Sequence, residues 1–419
     1  MPTAPANLMV SPANKDVLTR MNAIPMEVAG SRARPAPDIC VYHSFEPVEH
    51  EWRILETGRH VSLHQSLAWC KAWAANMNPE LAIVVGRVRG RIVFILPLEI
   101  VATDLGRIAR FIGAEHSNLN TGLYHESFAL GLGKVELKGI FASIRQQMAG
   151  RADLIQVTNM PQAWRGVSVP WLQGGAIENQ NKAYQLPVRP TMDETIEQIH
   201  AKRKRKLYRK SIRQFEAVGG YEHVIAETTE EKDALLSIFF RQKAERLQAL
   251  HLPNPFRDTH VQAFFRDAAH ASQEAPNTAL SLHALRLNNE DRTVVAIAGL
   301  SRKGDHVLCQ FGSVEDDVVP GASPGEFLFY LIIEQACADR VALFDFGIGY
   351  QLYKKSWCPV ETQHFDTLVP VSLRGRVGAF AISATTRLKA AIKRNRALYA
   401  LIQRFRADTQ RASAPEQED

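Results

Sequence analysis

Between Ser323 and Trp357 the chain reads SPGEFLFYLIIEQACADRVALFDFGIGYQLYKKSW. Ser323, Pro324 and Glu326 have the form of a helix start: an S-x-x-E capping box, with proline where no N–H donor is needed. Phe327, Leu328, Leu331 and Ile332 recur at helical spacing, so one face of that helix is expected in a core. Val341 to Phe346 is a short apolar run of strand type, ended by Gly347 and Gly349. Tyr350, Tyr353, Lys354 and Lys355 follow at its carboxyl end. A helix N-terminus beside such a strand end can hold an anionic group on free backbone N–H groups and the helix dipole. In the strand, alternation puts Phe344 and Phe346 on one side and Asp345 on the other. There Asp345 can orient an amine or hydroxyl, or take its proton; the competing reading is an Asp that ends a strand and caps the next turn.

Several other chemistries are excluded by what the chain lacks. No C-x-x-C pair or Cys/His cluster marks a zinc site, and no Ser-His-Asp order or Walker-type loop is present. The DFG at 345–347 has neither the H-R-D-type loop nor the Gly-rich strand pair of a kinase. With 419 residues the chain is long enough for two ordinary domains, and 46% hydrophobic with 22% charged residues is a globular composition. No apolar run reaches the ~18 residues that span a bilayer, and the amino terminus lacks the basic-then-apolar order of a secretory signal. Cys40, Cys70, Cys309, Cys337 and Cys358 are scattered and odd in number, which fits reduced thiols in a cytoplasm. The net charge of +6 is uneven: KRKRKLYRK (Lys202–Lys210) and the tail from Arg374 to Arg406 hold much of it. Such patches favour anionic partners, unless they are merely solvated helix faces.

The elements that must position these residues fall into two similar series. Residues 1–38 are an Ala/Pro/Ser/Asn-rich arm. Helices at Glu51–Thr57 and Ser66–Asn76, a hairpin turning at Gly90, a polar loop HSNLNTG, a helix at Val135–Met148 and a strand at Leu154–Thr158 make a first unit, 39–165. Residues 166–190 read as a linker in which part can pair as a strand. A capping box at Thr191–Glu194 opens a long helix bearing the basic block and closed by Gly219-Gly220. Helices at 233–250 and 258–271, a hairpin around NNEDR, a strand at His306–Ser313 and the 323–357 stretch complete a second unit, 191–370. PELAIVVGRVRGRIVFILPLEI parallels ALSLHALRLNNEDRTVVAIAGLSRK, and IFASIRQQMAGRADLIQV parallels LFYLIIEQACADRVALFDF. Matching order as well as type favours duplication, with a coincidence of common α+β parts as the alternative.

The chain resembles the BioF2-like or CelD-type acetyltransferases of the GNAT superfamily, related in fold to FemX-type peptidyltransferases. The resemblance is carried by LHQSLAWCKAW (63–73), GRIVFILPLEI from Gly90, RKRKLYRKSIRQFEAVGG (203–220), FFRQKAERL (239–247), NPF (254–256), ASPGEFLFYLIIEQA (322–336) and FDFGIGYQLYKKSW (344–357). It covers about residues 40–365, with the domain signature in 190–358. It implies an α+β fold: two tandem GNAT-like units, each a central mixed sheet flanked by helices, with acyl transfer in the second. It also implies acetyl-CoA or another acyl-CoA as co-substrate, with no tightly bound cofactor. The family's donor loop, a Q/R-x-x-G-x-G/A pattern, is replaced here by VVPGASPGE, where Gly321, Ala322, Ser323, Pro324 and Gly325 still offer a compact turn ahead of a helix. Glu326 puts a carboxylate near that pole, where it competes with a phosphate. Tyr353 and Lys354 resemble the family's Y-K pair, a proton donor to the leaving thiolate and a binder of anionic substrate. Arg203, Arg205 and Lys206 resemble a basic set that precedes the family's catalytic unit, and Arg241, Lys243 and Arg246 are candidate pocket bases. Each charged group is equally a helix-surface residue, and His283 and His306 read as structural.

The reading reached is a cytoplasmic acyltransferase acting on a small-molecule, glycan-linked or lipid-linked amine or hydroxyl, with a membrane-peripheral position open through its tail; the resemblance to CelD-type proteins implies an acceptor in cell-surface polysaccharide or glycolipid assembly. Two alternatives stand beside it. One is a FemX-like transferase using aminoacyl-tRNA, against which the chain shows no long helical-hairpin arm. The other is a catalytically dead scaffold that binds nucleic acid or membrane, against which no nucleic-acid fold motif is present. Leu388, Ile392, Leu398, Leu401, Ile402 and Phe405 among Arg and Lys make the tail a basic amphipathic helix. It can lie on an anionic membrane or pack back on its own domain.

Overall fold

A computed structural model describes residues 35–394 except 131, 173–175 and 272–275, with backbone alone for 391–394. The expected hairpin is strands β2 (Glu80–Val88) and β3 (Arg91–Thr103), turned through Arg89 and Gly90, both at positive φ. Strand β1 (Asp38–Tyr42) pairs with β2, while β4 (Gly106–Phe111) and the short β5 (Leu123–Tyr124) pair with β3. Strand β6 (Leu154–Pro161) lies parallel to β4. A small hairpin, β7 (Ala163–Trp164) and β8 (Val167–Ser168), leads to β9 (Ile177–Glu178). The second half supplies β10 (Ala183–Pro187), β11 (Tyr221–Ile225), β12 (Thr278–Leu287), β13 (Val294–Lys303), β14 (His306–Val314), β15 (Leu343–Ile348), β16 (Val360–Thr362) and β17 (His364–Pro370).

The two sheets run β1-β2-β3-β4-β6-β17-β9 and β11-β12-β13-β14-β15-β10-β16. Each has four antiparallel strands, one parallel pair (β4/β6, β14/β15) and then an antiparallel strand from the other half of the chain. The expected two units with mixed sheets are therefore present, and they exchange strands. Strand β10, wholly buried, is a part of the 166–190 segment that does pair as a strand, and it belongs to the second sheet. Its alternate residues pack on both faces, which a solvated linker could not do.

Helices α1 (Glu49–Glu56) and α2 (Leu67–Met77) of the first unit face α7 (Thr229–Ala249) and α8 (Thr259–His270) of the second. Trp69 and Trp73 meet Phe264 edge-on at 4.9 and 5.1 Å, so the inter-unit contact is an aromatic core. On the outer face of the first sheet lie α3 (Glu126–Ala129) and α4 (Lys134–Met148). On that of the second lie α5 (Met192–Glu197), α6 (Ala201–Ala217), α9 (Pro324–Ala338) and α10 (Leu352–Trp357), and α11 (Leu373–Arg394) ends the described chain. The Thr191 capping box forms, but the long helix expected after it breaks at 198–200 into α5 and α6. The S-x-x-E box at Ser323 does not form: Ser323 is left-handed, with φ 51° and no side-chain capping bond. Glu326 is drawn away instead by Lys204, as described below. The 1–34 part of the expected arm and the tail beyond 394 lie outside the described residues.

Candidate active site

The parallel ladder between β14 and β15 runs only from His306/Leu343 to Leu308/Asp345, while the strands continue to Val314 and Ile348. Beyond that point they part. On the β14 side a register shift at Gly299/Leu300 bends the strand pair. On the β15 side Gly347, with φ +72°, turns the chain where an L side chain would be strained and would meet Asn118 at 2.9 Å. Asn118 comes from the first unit's polar loop and reaches both sides: its Oδ1 accepts from Ile348 N (3.3 Å) and its Nδ2 donates to Gln310 Oε1 (3.4 Å). Gln310 Nε2 in turn donates to Ser301 Oγ (2.9 Å) and to His64 Nε2 (3.1 Å). The His64 tautomer follows from its Nδ1, which donates to Leu119 O at 2.9 Å. Burial holds that ring neutral, with a pKa of about 4.

Two lysines flank the opening. Lys243 of α7 donates to Gly312 O (3.3 Å) on β14, and Lys354 of α10 donates to Ile348 O (2.9 Å) on β15. Burial lowers the pKa of both, and each feels Cys309 on β14, whose thiol burial raises to about 11. Tyr353 stacks on Phe329 at 5.5 Å, and burial lifts its phenol far above the ordinary value, so it stays protonated. Lys243, Cys309, Tyr353 and Lys354 thus converge on the parting strands from three elements.

Asp345 sits at the apex, 1% exposed, on the face opposite Phe344 and Phe346, which pack toward α9. Its Oδ2 accepts from Gln185 Nε2 and its Oδ1 from Gly347 N, both at 2.7 Å. Burial alone would raise this carboxyl. His306, 3.8 Å away through Nε2, the Gln185 bond and the Gly347 amide outweigh it and hold the carboxyl below its usual value. Gln185 lies on the exchanged strand β10 and also accepts from Thr362 Oγ1 at 2.8 Å.

Ahead of α9, Gly321 has φ +76°, and a Cβ there would lie 3.3 Å from Lys210 Nζ. Gln214 donates to Pro320 O (3.1 Å), and Ser211 Oγ to Ala322 O (2.5 Å). The turn Gly321–Gly325 is therefore braced by α6. Glu326 does stand in the first turn of α9, but Lys204 Nζ donates to it at 2.7 Å and also lies 3.6 Å above the Trp357 ring. Ser356 donates to its other oxygen at 3.2 Å. The carboxylate at the pole is thereby neutralised.

The remaining expected residues are dispersed. Arg203 and Lys206 are exposed, and Arg205 pairs with Asp193 at 2.9 Å. Arg241 pairs with Glu245 and Arg246 with Asp316, at 3.5 and 3.8 Å on the surface. Of the basic block, Lys204 and Lys210 approach the turn. Sequence reading passed over Asn118, Gln185, Gln310 and Lys204. Only a charge at an apolar-spaced helical position marked Lys204, and nothing local marked the other three. Among the described residues no Cys, His, Asp and Glu group fits a metal.

The equivalent parting in the first sheet is filled. Beyond Arg110/Gln156 of the β4/β6 ladder, Asn120 donates to Asn159 O and Thr158 O, and Asn159 to Ser117 O. The chain closes that gap itself.

Fold and site together define tandem GNAT-like units of mixed α/β architecture. Residues 202–355, which contain the opening and the turn, match the family described as "Acetyltransferase (GNAT) domain". Among solved structures, FemX superposes with a TM-score of 0.55 at 12% identity, over 79% of this chain and 97% of that one. L-PGS from Bacillus licheniformis gives 0.49 at 12% identity, over 86% and 99%. A tandem GNAT protein from the clavulanic acid biosynthesis pathway gives 0.42 at 12%, over 80% and 99%. At such identity the FemX likeness is one of fold alone. The sequence matches no curated protein.

Proposed function

We propose that this protein transfers an acyl group from a CoA thioester to an amine or hydroxyl, and that the donor occupies the second unit alone. The observation that carries this reading is the parting of β14 and β15 beyond Leu308 and Asp345, continuous in sequence with a braced Gly-rich turn at a helix N-terminus. The pantetheine arm runs along the parted strands beyond the Asn118 bridge, and the pyrophosphate meets Gly321–Gly325 and Lys210. The nucleophile attacks the thioester carbonyl carbon, the C–S bond breaks, and the proton that the nucleophile sheds passes to solvent and the departing thiolate, while Tyr353, too weak an acid to lose its own proton, donates a hydrogen bond to that sulfur. Lys243 and Lys354 hold negative charge at the reacting end. Asp345, ionised at neutral pH, is better suited to orienting the acceptor than to removing a proton, because a low pKa makes a weak base.

The acceptor class rests on the sequence resemblance alone, which points to cell-surface polysaccharide or glycolipid assembly. Calorimetric titration of the full chain with acetyl-CoA tests the donor. One equivalent is expected to bind. Gly321→Val should weaken it roughly tenfold or more, through backbone strain and loss of the close approach. No binding to the native chain, with retention of aminoacyl-tRNA instead, would transfer the reading to a FemX-like donor.

A further inference from the structure

Helix α11 carries Leu373, Val377, Phe380 and Leu388 on the side turned away from the protein, while Ile382 is half-buried. It is fastened at its start, where Val371 N and Ser372 N donate to Asp153 O at 2.8 and 3.1 Å, and Ser372 Oγ to Asp153 Oδ1 at 2.5 Å. Its inward face is made of glycine: a Cβ on Gly375 would come within 1.7 Å of Asp153 O, and Gly378 lies over Leu105. Small residues there let the helix lie close against the backbone of the first unit. Leu373, Val377, Phe380 and Leu388 are consequently left 77, 67, 76 and 61% exposed. They stand at i, i+4, i+7 and i+15, one stripe along a helix of 3.6 residues per turn. Among the described residues nothing packs on this stripe: the face set against the first unit is the glycine one.

Charge identifies what covers the stripe. From Leu373 to Arg394 there are six Arg or Lys and no Asp or Glu. By the same helical spacing Arg376 and Arg387 border the stripe on one side and Arg374 on the other. The charged residues of the helix that border this ridge are all cations, Arg374 also donating to Asp104 O at 3.2 Å, and such a ridge complements a surface that is apolar inside and anionic at its edge. No described helix is long and apolar enough to cross a membrane, so the contact is lateral.

We propose that α11 is a docking surface for the anionic leaflet of a lipid bilayer, with Leu373, Val377, Phe380 and Leu388 inserted among the acyl chains. The stripe is independent of the opening between β14 and β15, so the proposal stands whether or not the donor is acyl-CoA.

Co-sedimentation of the full chain with vesicles of phosphatidylglycerol and phosphatidylcholine, against vesicles of phosphatidylcholine alone, tests it. Binding is expected only to the anionic vesicles and should weaken as salt rises. Val377→Glu/Phe380→Glu, both at exposed positions, should abolish it with the circular dichroism spectrum unchanged. Arg376→Gln and Arg387→Gln should each weaken it about fivefold. No binding, or equal binding to both vesicles, would overturn the proposal. Self-association in sedimentation velocity that disappears in Val377→Glu/Phe380→Glu, without vesicle binding, would assign the stripe to a second copy of the chain instead.

Discussion

Asp345 shows how much a residue's role depends on what surrounds it. Its alternation in LFDF puts it opposite two core phenylalanines, as its spacing implies, but the side it faces is the buried junction of the two units rather than open solvent. Asp345→Asn replaces an acceptor by an amide whose NH2 must face either Gln185 or the Gly347 amide, both donors. A stability loss of about 1–3 kcal/mol is therefore expected in thermal or urea denaturation. If the residue also orients the acceptor, transfer should fall by ~10²–10⁴-fold while acetyl-CoA affinity is retained. Loss of stability with an unchanged rate would make it a strand-end clamp only. Gln185→Leu offers the matching control, because it removes the donor and keeps the carboxylate.

At the level of elements, the pair Lys204–Glu326 joins α6 to the first turn of α9. Lys204 is nearly inaccessible and Glu326 partly so, which places the pair between a surface bridge and a fully buried one. Burial lowers the lysine pKa, and Glu326 works against that. Lys204→Met leaves a carboxylate unpaired beside the positive end of a helix meant for an anion. We expect it to cost up to about 3 kcal/mol, and to weaken acetyl-CoA binding as well. Lys204→Met/Glu326→Gln should recover most of both losses. A double-mutant cycle read by urea midpoints and calorimetry gives the coupling, and additive losses would mean the pair is incidental. The exchanged strands make a second prediction at this scale. Cutting the chain at 190 leaves residues 1–190 without β17 and residues 191–419 without β10. Neither fragment should fold alone by circular dichroism, whereas mixing them should restore the native spectrum. Independent folding of either fragment would show that the exchange contributes little.

The molecule as a whole behaves as one interlocked body. Asp305 in the second unit takes Arg59 and Arg165 from the first, at 2.6 and 2.8 Å, and Lys303 donates to the Gly58 and Val61 carbonyls. Buried histidines set its response to acid. Burial lowers His64 and His364 to about 4 and His283 to about 3. Their folded pKa values lie below the unfolded one, so the unfolded chain binds more protons below about pH 6.5. Their contribution is fully present above that pH and is lost as the pH falls toward 4. Each accounts for up to roughly 2 kcal/mol by pH 5. Urea midpoints should therefore drop between pH 6.5 and 5, ahead of carboxylate titration. A midpoint flat across that window would show that these rings are solvated in the folded state.

Periodicity and end signals were enough to locate most elements. The hairpin at Gly90, the capping box at Thr191, the close at Gly219-Gly220 and the strand holding Asp345 all follow from local rules acting over a few residues. The repeated order of those elements likewise disclosed two units, and the Tyr353–Lys354 pair and Lys243 were legible as candidates. What local rules do not contain is pairing at long range. Asn118, Gln310 and His64 form a polar bridge only because a loop of one unit enters the parting strands of the other. Gln185 meets Asp345 across 160 residues because β10 has crossed to the second sheet. The capping box at Ser323 yields to Lys204 for the same reason: a charged partner from a distant helix outcompetes a neighbour three residues away. The chain's own periodicities determined which segments are helix, strand and turn. The tertiary structure decided which of their polar side chains are buried together, since desolvation makes those groups find partners wherever the fold brings one within reach.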